Sequence, residues 1–423
     1  RWQAVYDWYK QEPDWQFAIS RLEEALLFKN QPGRLDKSHL KRVYGASPQT
    51  SISRLELYAA CPFAHFVRYG LKPLERKTFE VKAPDIGDFF HQAILQFALE
   101  MREKGLNWQA LSSEQCQQLM GEVVDQMLPD YGEGVFMSTY RYRYLGQRLK
   151  RIGQRAVWTL ARHLQAGEFN PLGYELRFGV GGTFPPLVVE LANGEMLMLE
   201  GRIDRVDVYR QGKDTYVRII DYKSGSQDLD LSEVYYGLNL QLLIYLMVAL
   251  QGINNAQGKN RPGGIFYFHI EDPLIEADQD VIAEIEKKMA ARLRLRGLAL
   301  EDPVVIRAMD RDIKGYSQVV PVGMSEAGDF YSNSALLSLD QFEVILTYVQ
   351  QLIRDMSQGI MSGDIEIAPY KKGTRQACSY CDYHAVCQFD SLFAANRYRQ
   401  LAALDRDQLM ERIYTDAERR GSW

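Results

Sequence analysis

Short runs of branched and aromatic residues, separated by Gly, Pro and Asn, occupy residues 173–223 of a chain that is otherwise patterned as helices. Such runs are typical of consecutive strands, because these side chains fit a pleated surface and the punctuating residues turn the chain. Helical spacing on both sides favours one α/β domain with a helical insertion and helical flanks. The predicted strands are Gly173–Val180, Leu187–Leu191, Met196–Tyr209, Thr215–Lys223 and Gly264–Glu271, and a buried helix is predicted at about Leu231–Leu250.

The helical segments are predicted from their spacing and from flanking caps. They are expected at Asp14–Lys29, from an Asp85 cap to about Lys104, and at about Ser112–Met127, Ser138–Gln165, Asp278–Leu295 and Leu339–Met361. Ser51–Gly70 is expected as short helices interrupted at Cys61 and Pro62, and residues 30–50 as a polar linker closed by Ser47 and Pro48.

Composition excludes several classes of protein. The 423 residues are 46% hydrophobic and 25% charged, as in ordinary globular proteins, and the net charge is −5. A site for a polyanion must therefore come from local charge patterning. The longest apolar stretch, Leu238–Leu250, contains Asn239 and Gln241 and is too short for a bilayer span, which needs about 20 residues. The chain starts at Arg1 without an initiator Met or a secretory signal, which favours an internal start within something longer.

A carboxylate and an ammonium end the strand Tyr216–Lys223. Val217, Ile219, Asp221 and Lys223 share one face of this strand, because side chains alternate. Burying either charge alone is costly, so the two must be paired, bound to a metal or placed in a cleft. An ordinary salt bridge at a strand end remains an equal alternative for these two residues alone.

The preceding strand brings a second carboxylate. A hairpin near Gly212 would place Asp204 beside Asp221. Two adjacent carboxylates repel, and Mg²⁺ relieves that repulsion because it prefers oxygen ligands. Lys223 would then orient a water molecule or neutralise charge on a phosphate, so the predicted chemistry is metal-assisted hydrolysis.

Two further pairs carry polar groups in apolar surroundings. Gln241 and Tyr245 lie one turn apart on a nearly all-apolar helix, and Gly87 precedes His91 by one turn. Each pair taken alone favours a structural role, such as a satisfied buried histidine or a Gln–Tyr pair bonded to the backbone.

The ordered set Gly87-x3-His91, Gly201-x2-Asp204, Asp221-x-Lys223 and Gln241-x3-Tyr245 resembles the RecB-like branch of the PD-(D/E)XK nuclease superfamily. The resemblance implies a restriction-endonuclease-like core, with a central mixed sheet flanked by helices. It further implies a site in which Lys223 assists the attack of water and in which Gln241 and Tyr245 position the DNA strand. The implied metal ligands are His91, Asp204, Asp221 and the carbonyl of Tyr222. Glu175 is a weaker candidate for this group of ligands, with a solvent-facing side chain as the alternative.

Three of the five cysteines are closely spaced, as Cys378-x2-Cys381-x5-Cys387, and either Cys61 or Cys116 could supply a fourth ligand. Zinc and an iron–sulfur cluster both accept four thiolates, although zinc sites more often use two paired short spacings. The absence of a secretory signal favours the reducing cytoplasm and argues against disulfides.

A cysteine before a RecB-like core and a C-x2-C-x5-C run after it resemble the iron-staple nucleases, in particular the C-terminal nuclease domains of the B subunits of AddAB-type helicase–nucleases. The segment Ser53–Phe63 strengthens the match. The resemblance implies a 4Fe-4S cluster on Cys61, Cys378, Cys381 and Cys387, with Cys116 a buried hydrophobe. Closing a loop of more than 300 residues would stabilise the fold by about 5 kcal/mol in the chain-entropy model, so we expect a structural cluster.

The implied activity is that of an Mg²⁺-dependent DNA exonuclease in a helicase–nuclease complex that processes double-strand breaks for recombinational repair. It would cut the 5′-ended single strand, with DNA and an AddA-type helicase–nuclease subunit as partners. The domain prediction is an N-terminal segment of residues 1–50, a nuclease domain of residues 51–390 with an insertion at about 105–167, and a helical tail of residues 391–423. The rivals are a non-catalytic iron–sulfur scaffold that binds DNA and a free-standing Cas4-like exonuclease.

Basic and aromatic residues concentrate between Glu133 and Glu168, where no acidic residue occurs. Arg148, Arg151 and Arg155 recur at helical spacing and would form a stripe that neutralises phosphates, while the nearby Tyr and Trp rings could stack unpaired bases. The alternative is a solvated helix face, or one that pairs with acids such as those of residues 278–286. The stretch contains Arg141, Arg143, Arg148, Lys150, Arg151, Arg155, Arg162, Tyr140, Tyr142, Tyr144 and Trp158.

Overall fold

A computed structural model describes residues 2–45, 49–74, 80–191, 194–275, 282–393 and 395–420 of the chain. They form two compact units. The first consists of Arg1–Ala46, Leu57–Pro73 and Gln358–Ala403. The second consists of Ser47–Glu56, Leu74–Ser357 and Leu404–Trp423.

The helices follow the predicted order and add several short elements. They are α1 (Trp2–Gln11), α2 (Pro13–Leu27), α3 (Lys37–Tyr44), α4 (Ile52–Ala60), α5 (Pro62–His65), α6 (Ala83–Glu103), α7 (Ser113–Met127), α8 (Val135–Ser138), α9 (Tyr140–Gln165), α10 (Leu231–Tyr235), α11 (Gln241–Gly252), α12 (Ile282–Arg292), α13 (Pro303–Met309), α14 (Leu339–Met361), α15 (His384–Cys387) and α16 (Arg406–Arg420). A π-helical turn, Phe66–Leu71, follows α5, and 3₁₀ turns form at Trp108–Ala110, Tyr131–Gly134 and Ala377–Tyr380.

The strands are β1 (Gln49–Thr50), β2 (Asn170–Phe178), β3 (Leu187–Glu190), β4 (Met196–Leu199), β5 (Gly201–Gln211), β6 (Asp214–Lys223), β7 (Asn260–His269), β8 (Arg296–Leu300), β9 (Gly315–Tyr316), β10 (Gly323–Met324), β11 (Leu336–Leu337), β12 (Tyr370–Lys372), β13 (Arg375–Gln376) and β14 (Arg399–Gln400). The run predicted as one strand at Met196–Tyr209 is two strands, β4 and β5, which belong to different sheets.

The core of the second unit is a six-stranded sheet in the order β11-β8-β7-β6-β5-β2. Strand β6 pairs antiparallel with β5 and parallel with β7, so the sheet is mixed, as predicted. A parallel pair needs a crossover connection, and α11 supplies it by packing on both β6 and β7. Because side chains on both faces of β6 are buried, a charged group on this strand must find a partner inside the protein.

The first unit contains α1, α2, α3 and a small sheet in the order β13-β12-β14. The polar linker predicted for residues 30–50 is wrong over Lys37–Tyr44, which form α3. The carboxylate of Asp36 accepts the N–H groups of Ser38 and His39 and so begins that helix. Residues 47 and 48 lie outside the described residues.

Two predicted helices differ in ways that affect the site. Asp85 is not the cap of α6 but its third residue, and its carboxylate accepts the N–H of the capping Lys82 at 2.7 Å. The helix predicted at Leu231–Leu250 is two helices, α10 and α11, separated by a turn in which Gly237 has a φ of 81°. Gln241 is therefore the first residue of its helix. Of the helix predicted at Asp278–Leu295, the structure describes Ile282–Arg292, and residues 278–281 lie outside the described part.

Across the described ranges, no helix combines the length and apolar character needed to cross a bilayer.

Candidate nuclease site and cysteine cluster

Asp221 and Lys223 lie at the end of β6, as the strand pattern predicts. The Asp221 side chain is 1% exposed, and its Oδ2 atom is 2.7 Å from Nζ of Lys223. The Oδ1 atom of Asp221 is buried without a hydrogen-bond partner among the described residues. Burial and the nearby Asp204 raise the pKa of Asp221 to about 8, although Lys223 opposes the shift. Asp221 thus forms the salt bridge considered as an alternative. However, this ion pair uses only Oδ2 and leaves Oδ1 without a partner among the described residues.

Asp204 reaches the same place from β5. Strands β5 and β6 form the predicted hairpin, in which Gly212 turns the chain with a φ of 61°. The hairpin pairs Arg205 with Ile220, and this register places Asp204 one step further along, on the level of Asp221. The Oδ2 atom of Asp204 accepts the backbone N–H of Tyr222 at 2.8 Å.

His91 enters the site from α6 and lies between carboxylates. Its Nε2–H donates to the carbonyl oxygen of Tyr222 at 3.1 Å, and its Nδ1–H donates to Glu175 Oε1 at 3.2 Å. Burial lowers the pKa of His91, but the hydrogen bonds to Asp204 and Glu175 outweigh it and raise the pKa to about 10. The imidazole is therefore held as a cation where negative charge collects, which is the position that a divalent cation would compete for.

Glu175, the weaker candidate for which a solvent-facing side chain was the alternative, lies inside the site. Its side chain is 7% exposed, and Oε2 is 2.6 Å from Nε of Arg202. The backbone of Glu175 has a φ of 48°, a conformation that is uncommon outside glycine and that recurs at functional sites. His91, Glu175 and Asp204 each offer a ligand atom within 4.8 Å of the others. The alternation of side chains along β2 could have identified Glu175 as an inward-facing residue, but its positive φ interrupts that alternation.

Gln241 and Tyr245 are connected to the site by a chain of hydrogen bonds that starts at Lys223. Gln241 Oε1 accepts from Nζ of Lys223 at 2.8 Å, and Gln241 Nε2 donates to the hydroxyl of Tyr245 at 3.0 Å. Burial raises the pKa of that hydroxyl far above its usual range, so it remains protonated. The structure therefore brings together all the nuclease-site residues named from the sequence, with the predicted roles of Gln241 and Tyr245 in holding DNA still predictions.

The residues present fit a divalent cation. The carboxylates of Asp204 and Glu175 lie within reach of one another and of His91, and Asp221 is close enough to Asp204 for the charge of Asp204 to raise its pKa. Oxygen and imidazole ligands of this kind are those that Mg²⁺ and Mn²⁺ accept.

Four of the cysteines surround one cavity in the first unit. Cys61, Cys378, Cys381 and Cys387 line a space of about 110 Å³, and all five thiols of the chain are free. Burial raises the pKa of the Cys61 thiol, and the backbone N–H groups of Ala64, Ala368 and Phe63 near the sulfur act in the opposite direction. Such donors favour a thiolate, which is the form that binds metal. The cavity therefore fits a group held by four sulfurs.

Cys116 is not part of this cluster. It is fully buried in α7. Burial raises the pKa of its thiol to about 11. It therefore packs as a small hydrophobe, as the sequence interpretation implied.

The basic stripe lies on α9. Arg148 and Arg151 are exposed and form no ion pair with a described residue, whereas Arg155 pairs with Asp272. Arg155 therefore fits the alternative in which this helix face pairs with acids. Its partner Asp272 precedes the acidic segment of residues 278–286 named in that alternative. Arg155, Trp158 and Arg162 line a cleft of about 580 Å³ in the second unit, together with the acids Glu286, Asp310 and Asp312.

Comparison with known proteins identifies the family. The PD-(D/E)XK nuclease superfamily model matches residues 49–388. The B subunit of the ATP-dependent helicase/deoxyribonuclease of Alkaliphilus metalliredigens is 42% identical over 421 residues, which is 99% of this chain and 37% of that protein. The proteins of the same name from Alkaliphilus oremlandii and Thermoanaerobacter sp. (strain X514) are 39% and 38% identical over 99% of this chain, and 36% and 37% of their own lengths are covered. The chain thus spans a little over a third of the relatives that it matches. With the mixed sheet and the clustered carboxylates, these matches show that the chain belongs to the PD-(D/E)XK nuclease superfamily.

Proposed function

We propose that this chain is the nuclease domain of the B subunit of an ATP-dependent helicase/deoxyribonuclease and hydrolyses DNA with Mg²⁺. The observation that carries the proposal is the convergence of His91, Asp204 and Asp221, with Lys223 paired to Asp221 at 2.7 Å. A decayed nuclease would be expected to have lost at least one of these groups, which argues against the non-catalytic rival.

Each residue has a role that follows from its position. His91, Asp204, Asp221 and the carbonyl of Tyr222 would hold the metal, and Glu175 is the additional carboxylate within reach. Bound Mg²⁺ supplies positive charge that polarises a phosphate and lowers the pKa of water. Lys223, held by Asp221 and Gln241, orients the attacking water or offsets charge that develops on the phosphate. Burial of Asp204 and Asp221 keeps bulk water from competing for these interactions.

The substrate and partner are proposed from the relatives. Their name describes a deoxyribonuclease that works with an ATP-dependent helicase and of which each relative is one subunit. We therefore propose an AddA-type partner subunit, a 5′-ended single strand at processed double-strand breaks as substrate, and exonucleolytic cutting in recombinational repair. The five free thiols fit a reducing cytoplasm.

The four-cysteine cavity is proposed to hold a 4Fe-4S cluster. Its support is the number of cysteine ligands, the cavity of about 110 Å³ and the backbone N–H groups near Cys61, which favour its thiolate. When bound, the cluster would link residues that are more than 300 positions apart and so stabilise the fold without taking part in hydrolysis. Zinc is the other group that the four thiols would accept.

Single-stranded DNA is proposed to follow the exposed part of α9. Arg148 and Arg151 carry charges that the described residues do not neutralise, and Tyr140 and Tyr144 are exposed beside them. Cationic side chains interleaved with aromatic rings bind single strands with little sequence preference. The cleft lined by Arg162 is less suited to phosphate, because its acids balance its basic residues.

Cleavage of end-labelled single-stranded DNA tests the proposal. Strands labelled at the 5′ or the 3′ end are incubated with Mg²⁺ or with EDTA, using the wild type, Asp221→Ala and the exposed-acid control Asp312→Ala. Cleavage is expected in Mg²⁺ for the wild type and the control, and release of short 5′-labelled products would establish the polarity. Salt-sensitive binding without cleavage, both for this chain and for the complete two-subunit complex, would favour the scaffold rival instead.

A further inference from the structure

The carboxylate of Glu56 lies at the start of α11. Its Oε1 atom accepts the backbone N–H of Leu240 at 2.8 Å, and the N–H of Gln241 also hydrogen-bonds to it. Leu240 is the residue that caps α11, and its apolar side chain provides no capping hydrogen bond. The first N–H groups of a helix have no partner within the helix, and the helix dipole favours a negative charge there. Glu56 therefore supplies, from a distant part of the chain, the cap that α11 lacks.

The first turn of α11, which Glu56 caps, contains Gln241, and Gln241 accepts a hydrogen bond from Lys223. Gln241 begins α11, so a hydrogen bond to its backbone fixes the origin of its side chain. That side chain accepts Nζ of Lys223 at 2.8 Å and donates to Tyr245 at 3.0 Å. Lys223 also pairs with Asp221 at 2.7 Å. A continuous path of contacts thus joins Glu56 to the end of β6.

Charged and titratable groups surround Glu56 on several elements. Lys223 on β6 lowers its pKa and Glu233 on α10 raises it, while the Tyr245 and Tyr267 hydroxyls on α11 and β7 lie within electrostatic range. Burial is the largest influence, and it raises the pKa of Glu56 to about 7.

We propose that Glu56 is a positioning residue of the nuclease site, whose carboxylate fixes the first turn of α11 so that Gln241 holds Lys223 against Asp221. The inference rests on the proposed nuclease function. In the described contacts, Glu56 bonds to none of the proposed metal ligands. It acts through the backbone of Leu240 and Gln241.

Two variants separate the contributions of acceptor and charge. Glu56→Leu removes the acceptor, whereas Glu56→Gln keeps an acceptor oxygen without the charge. The matched control is Glu326→Leu, which alters an exposed glutamate. We measure kcat and KM on single-stranded DNA with Mg²⁺, the melting temperature, and hydrogen exchange of the Leu240 and Gln241 amides.

Glu56→Leu is expected to lower kcat by about 10- to 100-fold with KM nearly unchanged, because displacement of a catalytic group weakens the chemical step more than binding. Glu56→Gln is expected to recover only part of that loss, because its neutral amide oxygen still accepts a hydrogen bond but more weakly than a carboxylate. The exchange of the two amides should accelerate by about tenfold or more in Glu56→Leu, as expected when a hydrogen bond to a charged acceptor is lost. In a Gln241→Ala background, Glu56→Leu should lower kcat little further, because the two residues act on one path.

The pH dependence of kcat is a further measurement, and a purely structural role of Glu56 would not change it. The ionised carboxylate accepts both N–H groups most strongly, so wild-type kcat should fall as the pH drops below about 7, where Glu56 takes up a proton. Glu56→Gln should flatten this acid limb.

Unchanged amide exchange in Glu56→Leu, or a loss of kcat that adds fully to that of Gln241→Ala, would overturn the inference. If the wild type has no nuclease activity, the proposed function fails, while amide exchange still reports whether Glu56 caps α11.

Discussion

The carboxylate of Asp204 accepts the backbone N–H of Tyr222 at 2.8 Å. This hydrogen bond joins β5 to β6 beside Asp221. It therefore holds, in one contact, a proposed ligand against the residue whose carbonyl oxygen accepts a hydrogen bond from His91. The proposed metal site is thus built into the sheet itself, which limits how far its candidate ligands can move apart.

Asp221→Asn is expected to separate metal binding from folding. Because burial and the nearby Asp204 raise the pKa of Asp221 and so disfavour its charged form, the neutral amide should change the free energy of unfolding in EDTA by less than about 1 kcal/mol. Mg²⁺ at a hundred times its dissociation constant should stabilise the wild type by about 2.7 kcal/mol and the variant much less. Denaturant melts with Mg²⁺ and with EDTA measure both effects. Asp312→Asn is the control, and equal stabilisation of Asp221→Asn and wild type would place the metal elsewhere.

The proposed 4Fe-4S cluster predicts a brown purified protein, and Cys378→Ala is expected to remove that colour and to lower the melting temperature. The loss of a cross-link across more than 300 residues should cost up to about 5 kcal/mol. Iron and sulfide assays, visible absorbance and thermal melts provide the measurements. Cys116→Ala removes a buried thiol outside the cavity and should keep the colour. A colourless wild type that is as stable as the variant would contradict the prediction, and bound zinc without iron would identify the alternative group.

Replacing Arg148 and Arg151 together with Ala should weaken single-strand binding and reduce its salt dependence. Each lost phosphate contact lowers the slope of log K against log salt by about 0.7, so two contacts should lower it by about 1.4. Fluorescence anisotropy at several salt concentrations measures this slope. Lys150→Ala is the control, because Lys150 is already paired with Asp125 at 2.5 Å. Binding that does not change in the double variant would remove α9 from the DNA path.

His163 should make the protein sensitive to acid. Burial, with the charges of Arg218 and Arg205, lowers the pKa of His163 to about 3 from 6.5. The unfolded chain therefore binds a proton that the native state excludes, and this stability is present above pH 6.5 and lost as the pH falls towards 3. Between pH 7 and pH 5 the wild type should lose about 2 kcal/mol from this residue alone. Urea melts of His163→Phe should lack that loss, whereas the exposed-site control His39→Gln should retain it; equal losses in wild type and His163→Phe would refute the assignment.

Local pattern was sufficient for much of the fold. The alternation along Thr215–Lys223 predicts a strand in which Asp221 and Lys223 share a face, and the turn at Gly212 predicts the hairpin that brings Asp204 to the same level. Both predictions are confirmed because strand alternation and hairpin pairing depend on neighbouring residues. The α/β class is also confirmed, as is the mixed sheet that the resemblance to the PD-(D/E)XK nucleases implies.

Other features depend on how separate elements pack. The break between α10 and α11 lies in a nearly continuous apolar run, so hydrophobic periodicity cannot reveal that Gln241 begins a helix. The inward direction of Glu175 depends on a positive φ that a glutamate rarely adopts.

By itself the sequence determined the elements, the family and the residues from which the nuclease site and the cysteine cluster could be named. Only the tertiary structure decided that Glu175 joins His91, and that Glu56 caps a helix that begins 185 positions later in the chain. Periodicity specifies the face of a helix or strand on which a side chain lies. Which groups meet across elements depends on packing, which places carboxylates where backbone N–H groups or cations can offset the cost of burying them.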